Sequence, residues 1–127
     1  DLMGKKKILI VEDDVALLNV LVEKFTKEGY KVVTAKDGAV GLKTALLEQP
    51  DMILLDIIMP VMDGMTMLQR LRKDAWGKKA SVILLTNLNS VEKVSDALES
   101  GAFDYLVKAD WSLQEIVDKV GRNLKKK

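Results

Sequence analysis

The sequence DMILLDIIMPVMDG, from Asp51 to Gly64, contains a short apolar run that ends at an acid. The run Met52–Leu55 is too short for a typical helix and is therefore predicted to be a buried strand. Asp56 stands where the next apolar residue would be expected. Pro60 and the pair Asp63-Gly64 indicate a stiff turn after it. This pattern either places a reactive carboxylate at a sheet edge or uses Asp56 only to cap the end of the strand.

The composition fits one soluble domain and excludes several kinds of chemistry. The chain has 127 residues, of which 48% are hydrophobic, which is enough for one core but not for two. The formal net charge of +1 gives no indication of binding to nucleic acid. Without cysteine or histidine, disulfides, thiolate chemistry, histidine-based acid–base catalysis and nearly all zinc sites are excluded. We expect a cytoplasmic, single-domain protein over residues 1–127, with a poorly ordered start at 1–4 and no nucleic-acid or membrane partner.

Short apolar runs alternate with helical periodicity along the whole chain. Strands are predicted at Ile8–Val11, Tyr30–Ala35, Met52–Leu55, Ser81–Leu85 and Phe103–Val107. A helix is predicted after each strand, beginning at Asp13 or Asp14, at Asp37, at about Met65, at Ser90 and at Ser112. The third of these helices should run to Lys73. The last has the clearest start, a capping box of Ser112 with Glu115 inside an apolar staple of Trp111 with Ile116.

This alternation predicts an α/β fold, a doubly wound (βα)5 unit of the flavodoxin-like type. Strands joined by helical crossovers run parallel, with helices on both faces of the sheet. The first, third and fourth strands are continuously apolar and should be central, whereas the more polar second and fifth strands should lie at the edges. The predicted strand order is therefore 2-1-3-4-5, with the topological switch point between strands one and three.

The carboxyl ends of the predicted strands carry polar groups that would meet at one edge. Glu12 and Asp13 follow the first strand, and Asp56 follows the third, so that the three carboxylates should lie close together. Crowded carboxylates repel one another unless a hard cation joins them, and an all-oxygen ligand set suits Mg²⁺ (or Mn²⁺). Thr86 after the fourth strand would add a hydroxyl group, and Lys108 after the fifth would add an amine. Together these groups indicate phosphoryl transfer, with Asp56 as the nucleophile.

Each of these residues also has a purely structural interpretation when taken alone. Asp13 and Asp14 could be helix caps, Thr86 a strand-end hydroxyl bonded to the backbone, and Lys108 a solvated surface lysine. Tyr105 could be an aromatic residue that packs on a helix. The coincidence of four suitable groups at four strand ends favours the functional interpretation.

The segments ILIVEDD (8–14), LLDIIMPVMDG (54–64), LLTN (84–87) and GAFDYLVKAD (101–110) resemble the receiver domain of bacterial two-component response regulators. The resemblance covers essentially the whole chain. It implies that Asp56 accepts a phosphoryl group from a phosphohistidine of a sensor histidine kinase or phosphotransfer protein. It further implies a metal site made by Asp13, Asp56 and the carbonyl group of Ile58, with Glu12 assisting through water. Lys108 and Thr86 would contact the phosphoryl oxygens, and Tyr105 would be the switch aromatic residue.

The resemblance also implies how the signal leaves the domain. Phosphorylation would change the surface formed by the helix from Ser90, the strand Phe103–Val107 and the helix from Ser112. That surface would bind an unidentified output protein or form a phosphorylation-dependent homodimer. Such a domain catalyses its own phosphorylation and a slow autodephosphorylation, and it is not an enzyme in the usual sense. It would be either a stand-alone receiver or part of a longer regulator.

Three features depart from the usual receiver pattern. Ala109 replaces the proline that commonly follows the lysine, and a cis bond to a non-proline residue costs about 2.5–4 kcal/mol, so a trans bond is expected. Asn87 stands where a small residue is common, and it should narrow access to the phosphoryl group or add a hydrogen bond. Ile58 and Leu88 stand where receivers often place polar groups that orient the hydrolytic water. The phosphorylated form is therefore expected to be long-lived.

Three other protein classes are alternatives. A phosphatase of the haloacid dehalogenase type needs a second acid two residues after the nucleophile, where this chain has Ile58. A flavodoxin needs a phosphate-binding loop after the first strand, where this chain has acids. A pseudo-receiver, a binding module that is never phosphorylated, is the stronger alternative, although such proteins usually lack one of the key groups that are present here.

Overall fold

The computed structural model describes residues 4–86, 95–96, 98–99, 101, 104–107 and 112–125, with only the backbone at 86, 104–107 and 125. The strands are β1 (Lys7–Val11), β2 (Lys31–Ala35), β3 (Met52–Asp56), β4 (Val82–Thr86) and β5 (Asp104–Val107). The helices are α1 (Val15–Lys27), α2 (Gly38–Glu48), α3 (Gly64–Leu71) and a C-terminal helix (Leu113–Lys125), with a short 3-10 turn at Gly77–Lys79. Residues 95–96 and 98–99 are also helical.

The five strands form one parallel sheet in the order β2-β1-β3-β4-β5. The predicted fold class, strand order and strand direction are confirmed. The edge strand β2 has exposed side chains at Lys31 and Thr34, whereas every residue of β3 is buried. This contrast between edge and centre is the one that the polar and apolar runs of the sequence predict.

Several predicted boundaries differ from the structure. Strand β1 begins at Lys7 instead of Ile8, and β2 begins at Lys31 instead of Tyr30. Strand β4 spans Val82–Thr86 instead of Ser81–Leu85, so Thr86 ends the strand instead of following it.

Asp56 is the last residue of β3 rather than the residue after it, because it pairs with Leu85 of β4. Helix α3 ends at Leu71 and does not reach Lys73, because the N–H of Lys73 bonds to the carbonyl of Arg70, three residues back. This tighter bonding ends the α-helix two residues early. The predicted helix start at Ser90, the staple residue Trp111 and residues 1–3 lie outside the described residues.

The sheet separates two buried layers. Strand β3 contributes to both, because successive side chains of a strand point to opposite faces. Ile53 and Leu55 pack in the layer under α2 and α3, which we call the α2–α3 layer. Met52 and Leu54 pack in the layer under α1 and the C-terminal helix, which we call the α1 layer. In the α1 layer, Leu18, Leu21 and Phe25 of α1 meet Ile116, Val117 and Val120 of the C-terminal helix.

Acidic side chains cap three helices at the edge where the strands end. Asp14 Oδ1 accepts from Leu17 N at 3.2 Å, Asp37 Oδ1 from Val40 N at 2.9 Å, and Asp63 Oδ1 from Thr66 N at 2.8 Å. The choice between Asp13 and Asp14 as the cap of α1 therefore falls on Asp14. The predicted capping box is confirmed, with Ser112 N donating to Glu115 Oε1 at 3.1 Å and Glu115 N donating to Ser112 Oγ at 3.2 Å.

Arg72, at the end of α3, joins two parts of the chain that are distant in sequence. Its guanidinium group donates to the carbonyl of Gly77 at 2.6 Å and to that of Ala80 at 2.8 Å. It also donates to the carbonyl of Gly101. Burial lowers the pKa of Arg72 from its usual value, but an arginine remains charged at neutral pH. The side chain thus holds the turn that leads into β4 against the turn at Gly101, near the start of β5.

We expect Gly121→Ala to stabilise the protein. Gly121 lies in the interior of the C-terminal helix, and the nearest atom to a Cβ placed there is the hydroxyl of Tyr30, at 4.0 Å. Alanine therefore fits, and it should raise the free energy of unfolding by about 0.5–1 kcal/mol because it loses less backbone entropy than glycine. Urea unfolding followed by circular dichroism measures the difference.

The matched control is Gly29→Ala, where the new Cβ would have no atom of another described part of the chain within 4 Å, but where the backbone has a φ of 95° at the end of α1. There alanine should lower stability by about 1–2 kcal/mol, because L-residues avoid positive φ. A Gly121→Ala protein less stable than the parent would contradict the prediction.

Candidate functional site

Three carboxylates meet at the carboxyl edge of the sheet. One oxygen each from Glu12, Asp13 and Asp56 lies within 4.8 Å of the others. Glu12 and Asp56 are buried, whereas Asp13 is exposed. The cluster lies between β1 and β3, which is the switch point that the strand order predicts.

Strand register explains why these acids come together. Val11 pairs with Leu55, so that Glu12 and Asp56 leave neighbouring strands at the same level. The N–H of Glu12 bonds to the carbonyl of Ala35 at 3.0 Å, and this bond holds the residue in line with β1. Glu12 Oε2 accepts from Asp14 N at 3.0 Å, which turns its carboxylate toward the start of α1. Asp13, which caps no helix, extends toward solvent beside them.

The donor set of this cluster fits a hard divalent cation. All three side chains offer oxygen, and three like charges within this distance repel one another in the absence of a counter-charge. Mg²⁺ and Mn²⁺ prefer carboxylate, carbonyl and water ligands. The exposed position of Asp13 leaves one side of the cluster open to water and to a ligand.

The loop between Asp56 and α3 lies directly against the end of β3. Gly64, the first residue of α3, donates its N–H to the carbonyl of Ile57 at 2.7 Å. A Cβ on Gly64 would lie 2.1 Å from the carbonyl oxygen of Asp56, so only glycine permits this approach. Ile58 is 55% exposed and Val61 is 84% exposed, the latter with a φ of 68° that β-branched residues rarely adopt. The loop therefore carries two apolar side chains at the surface beside Asp56.

The remaining predicted residues are placed only in part. Thr86 is the last residue of β4, and its backbone pairs with Val107, the last residue of β5. Tyr105 pairs with Leu84 through its backbone, and its side chain lies outside the described residues. Lys108, Asn87, Leu88 and Ala109 also lie outside them. Their proposed roles, and the trans bond expected before Ala109, remain predictions.

The register of β3 with β4 relates Thr86 to the acidic cluster. Asp56 pairs with Leu85, so Thr86 lies one residue farther along the strand direction, a rise of about 3.3 Å. A group that is bound to the Asp56 carboxylate and extends beyond the end of β3 would reach the same height along the strand direction as the backbone of Thr86. The backbone of Thr86 thus lies one residue beyond the level of Asp56 at this edge of the sheet.

Gly64 was missed as a site residue by sequence reasoning, which used the pair Asp63-Gly64 only as a turn signal. Asp63 is the cap of α3, and Gly64 brings that helix into contact with the backbone of Asp56. The glycine itself was visible in the sequence. Its role was not, because it depends on where α3 packs.

Comparisons with known proteins agree on one family. The family model described as the response regulator receiver domain matches residues 8–121. A probable transcriptional regulator, ycf27, of Cyanophora paradoxa is 41% identical over 106 residues, which cover 84% of this chain and 43% of the relative. The chain thus spans less than half the length of that curated relative.

Solved structures agree as well. A response regulator receiver domain protein, described as CheY-like, from Methanospirillum hungatei JF-1 superposes with a TM-score of 0.90 at 29% identity, covering 97% of this chain and 96% of that one. The receiver domain of a sensor histidine kinase from Pseudomonas aeruginosa PAO1 superposes with a TM-score of 0.87 at 27% identity, covering 96% and 99%. That structure has a magnesium ion coordinated in its active-site cleft. Among the described residues of the present chain, no helix is both long and apolar enough to cross a membrane.

Proposed function

The chain belongs to the response regulator receiver domain family, and on this premise we propose that Asp56 accepts a phosphoryl group from a histidine of a sensor kinase or phosphotransfer protein. The observation that carries the proposal is the meeting of Glu12, Asp13 and Asp56 at the switch point of the sheet. The relatives that are transcriptional regulators support a role in signalling. The site of action would be the cytoplasm.

In phosphoryl transfer, some residues of the site would bind the metal ion and Asp56 would also act as the nucleophile. Asp13, Asp56 and the carbonyl group of Ile58 would hold Mg²⁺ or Mn²⁺, with Glu12 acting through water. The bound ion would neutralise negative charge on the phosphoryl oxygens. An oxygen of Asp56 attacks phosphorus, the new P–O bond forms, and the bond to the donor imidazole nitrogen breaks. The imidazole leaves with the electron pair of that bond and takes up a proton.

Phosphorylation would then bias a switch. A phosphoryl group adds about −1.5 to −2 charge and three acceptor oxygens, which Thr86 and Lys108 would contact. Their movement would favour one packing of Tyr105 over another, with a coupling of about 1–3 kcal/mol. The surface of the helix from Ser90, β5 and the C-terminal helix would change and bind an output protein or a second copy. We propose no enzymatic activity beyond this self-phosphorylation and slow autodephosphorylation.

Mass spectrometry after incubation with Mg²⁺ and acetyl phosphate tests the proposal. We expect the mass of one phosphoryl group on the peptide that contains Asp56, and no label when Mg²⁺ is removed by a chelator. If Asp56 stayed unmodified while the protein still bound a partner, the pseudo-receiver alternative would be correct.

We also propose that the phosphorylated form is long-lived, because Ile58 offers no polar group to orient a hydrolytic water. Ile58→Asn should shorten its lifetime about tenfold, a small part of what a positioned polar group can contribute. The decay of radiolabelled phosphoprotein measures the lifetime. The matched control is Val61→Asn in the same loop, where asparagine tolerates the φ of 68° and should leave the lifetime unchanged. Equal lifetimes for the parent and the Ile58→Asn protein would contradict this prediction.

A further inference from the structure

A groove of about 890 Å³ lies beside the loop that follows Asp56, and neither Glu12 nor Asp13 is among its described lining residues. It is lined by Ile57, Ile58, Met59, Asp63, Met65, Gln69, Asp96 and Glu99. We propose that this groove binds a partner segment in which an apolar side chain is flanked by lysine or arginine. The groove would extend the proposed switch surface, which includes the helix from Ser90, to the loop after Asp56 and to the start of α3.

The floor of the groove is apolar and already formed. Ile57 and Met59 are buried in the α2–α3 layer, so their positions are fixed by the core. Ile58 and Met65 complete the floor, and Ile58 leaves 55% of its surface exposed. A volume in the range of about 300–1,000 Å³ is typical of clefts that bind ligands. An apolar side chain placed here would bury surface that now contacts water.

The rim of the groove carries charge of one sign. Asp63, Asp96 and Glu99 are acidic and exposed, and none of the described lining residues is positively charged. Asp63 caps α3 through one of its two carboxylate oxygens. An acidic partner would therefore be repelled, and a basic one attracted and oriented. Since the net charge of the chain is only +1, this preference arises from the local arrangement and not from the protein as a whole.

The occupant is inferred to be a peptide segment rather than a small enclosed molecule. Five lining residues are exposed, so the groove is open to solvent along one side. The acids lie on two separate elements, Asp63 at the start of α3 and Asp96 and Glu99 on the helical residues 95–96 and 98–99. A segment with basic residues on both sides of an apolar anchor matches this arrangement, as an amphipathic helix does in other grooves.

A designed peptide provides the test, on the full chain without phosphorylation. The probe is a synthetic helical peptide with leucine at positions i, i+3, i+4 and i+7 and lysine elsewhere. Its comparison peptide replaces every lysine by glutamate. Binding is followed by the methyl chemical shifts of Ile57, Ile58, Met59 and Met65. Because the measurement needs no phosphoryl group, failure here and failure of the proposed function are distinguishable.

Two variants and their controls decide where and how the probe binds. The double variant Asp96→Asn with Glu99→Gln should weaken binding about three- to tenfold, whereas Glu23→Gln on α1 should not change it. Ile58→Ser should weaken binding about tenfold, whereas Leu47→Ser, at a site on α2 that is 77% exposed, should not. Both lining changes are at exposed positions, so the fold should tolerate them.

Three results would overturn the proposal. One is that the glutamate peptide binds as tightly as the lysine peptide. Another is a set of shifted methyl groups that lies on α2 around Leu47 instead of in the groove. The third is a change of the groove methyl groups with protein concentration in the absence of peptide, which would identify a second copy of this chain as the occupant.

Discussion

Asp56→Asn is expected to abolish phosphorylation by acetyl phosphate. The amide of asparagine is a poor nucleophile and forms no stable acyl phosphate, and it also removes one of the charged ligands proposed for the metal. We expect loss of the label from the Asp56 peptide by mass spectrometry and at least a tenfold weaker apparent affinity for Mg²⁺, about 1.4 kcal/mol. The fold should be kept, because asparagine has the shape of aspartate and one of three crowded charges is removed.

Asp63→Asn is the matched control for this experiment. It makes the same chemical change seven positions away, and asparagine caps a helix about as well as aspartate does. The Asp63→Asn protein should therefore be labelled like the parent. If the Asp56→Asn protein were labelled at the parental rate at another residue, Asp56 would not be the acceptor.

Gly64→Ala is expected to lower the stability of the protein strongly. The new Cβ would lie 2.1 Å from the carbonyl oxygen of Asp56 and 2.9 Å from Cα of Ile57, both backbone atoms that cannot rotate away. Either α3 or the end of β3 must shift, and we expect a loss of about 3 kcal/mol or more in the free energy of unfolding. Urea unfolding measures that loss. The rate of phosphorylation should fall as well, because the backbone that holds Asp56 is the part displaced.

Gly121→Ala is the matched control, since it makes the same substitution in a helix where, outside the helix's own backbone, the nearest atom of the described residues lies 4.0 Å from the new Cβ. If Gly64→Ala lowers the stability and Gly121→Ala raises it, the loss at Gly64 is due to the close backbone contact and not to the helix propensity of alanine. A Gly64→Ala protein with parental stability and labelling would show that α3 can move without affecting the acceptor, against this prediction.

Much of the fold was predictable because the composition of each short segment indicates how deeply a strand is buried and whether it lies at the centre or the edge of the sheet. The apolar runs at Ile8–Val11 and Met52–Leu55 identify central strands, and Lys31 and Thr34 identify an edge. The meeting of Glu12, Asp13 and Asp56 follows from parallel topology alone, because all carboxyl ends lie at one edge.

The features that sequence reasoning missed depend on how elements pack. The early end of α3 is associated with the turn at Arg72, whose guanidinium group reaches Gly101, 29 residues away. The groove beside Ile58 requires residues of α3 and the helical residues 95–96 and 98–99 to line the same space. Neither arrangement can be read from the spacing of residues within one segment, because each depends on contacts between segments that are distant in sequence.

The two buried layers on opposite faces of the sheet have a consequence for cooperativity. Strand β3 contributes Ile53 and Leu55 to one layer and Met52 and Leu54 to the other, so neither layer can come apart without releasing the strand on which the other depends. The layers should therefore unfold in one all-or-none transition, as small single domains usually do. A destabilising substitution in either layer should therefore lower the free energy of unfolding of the whole domain, including the site at Asp56. Strand β3, which ends in Asp56, is the element that the two layers share.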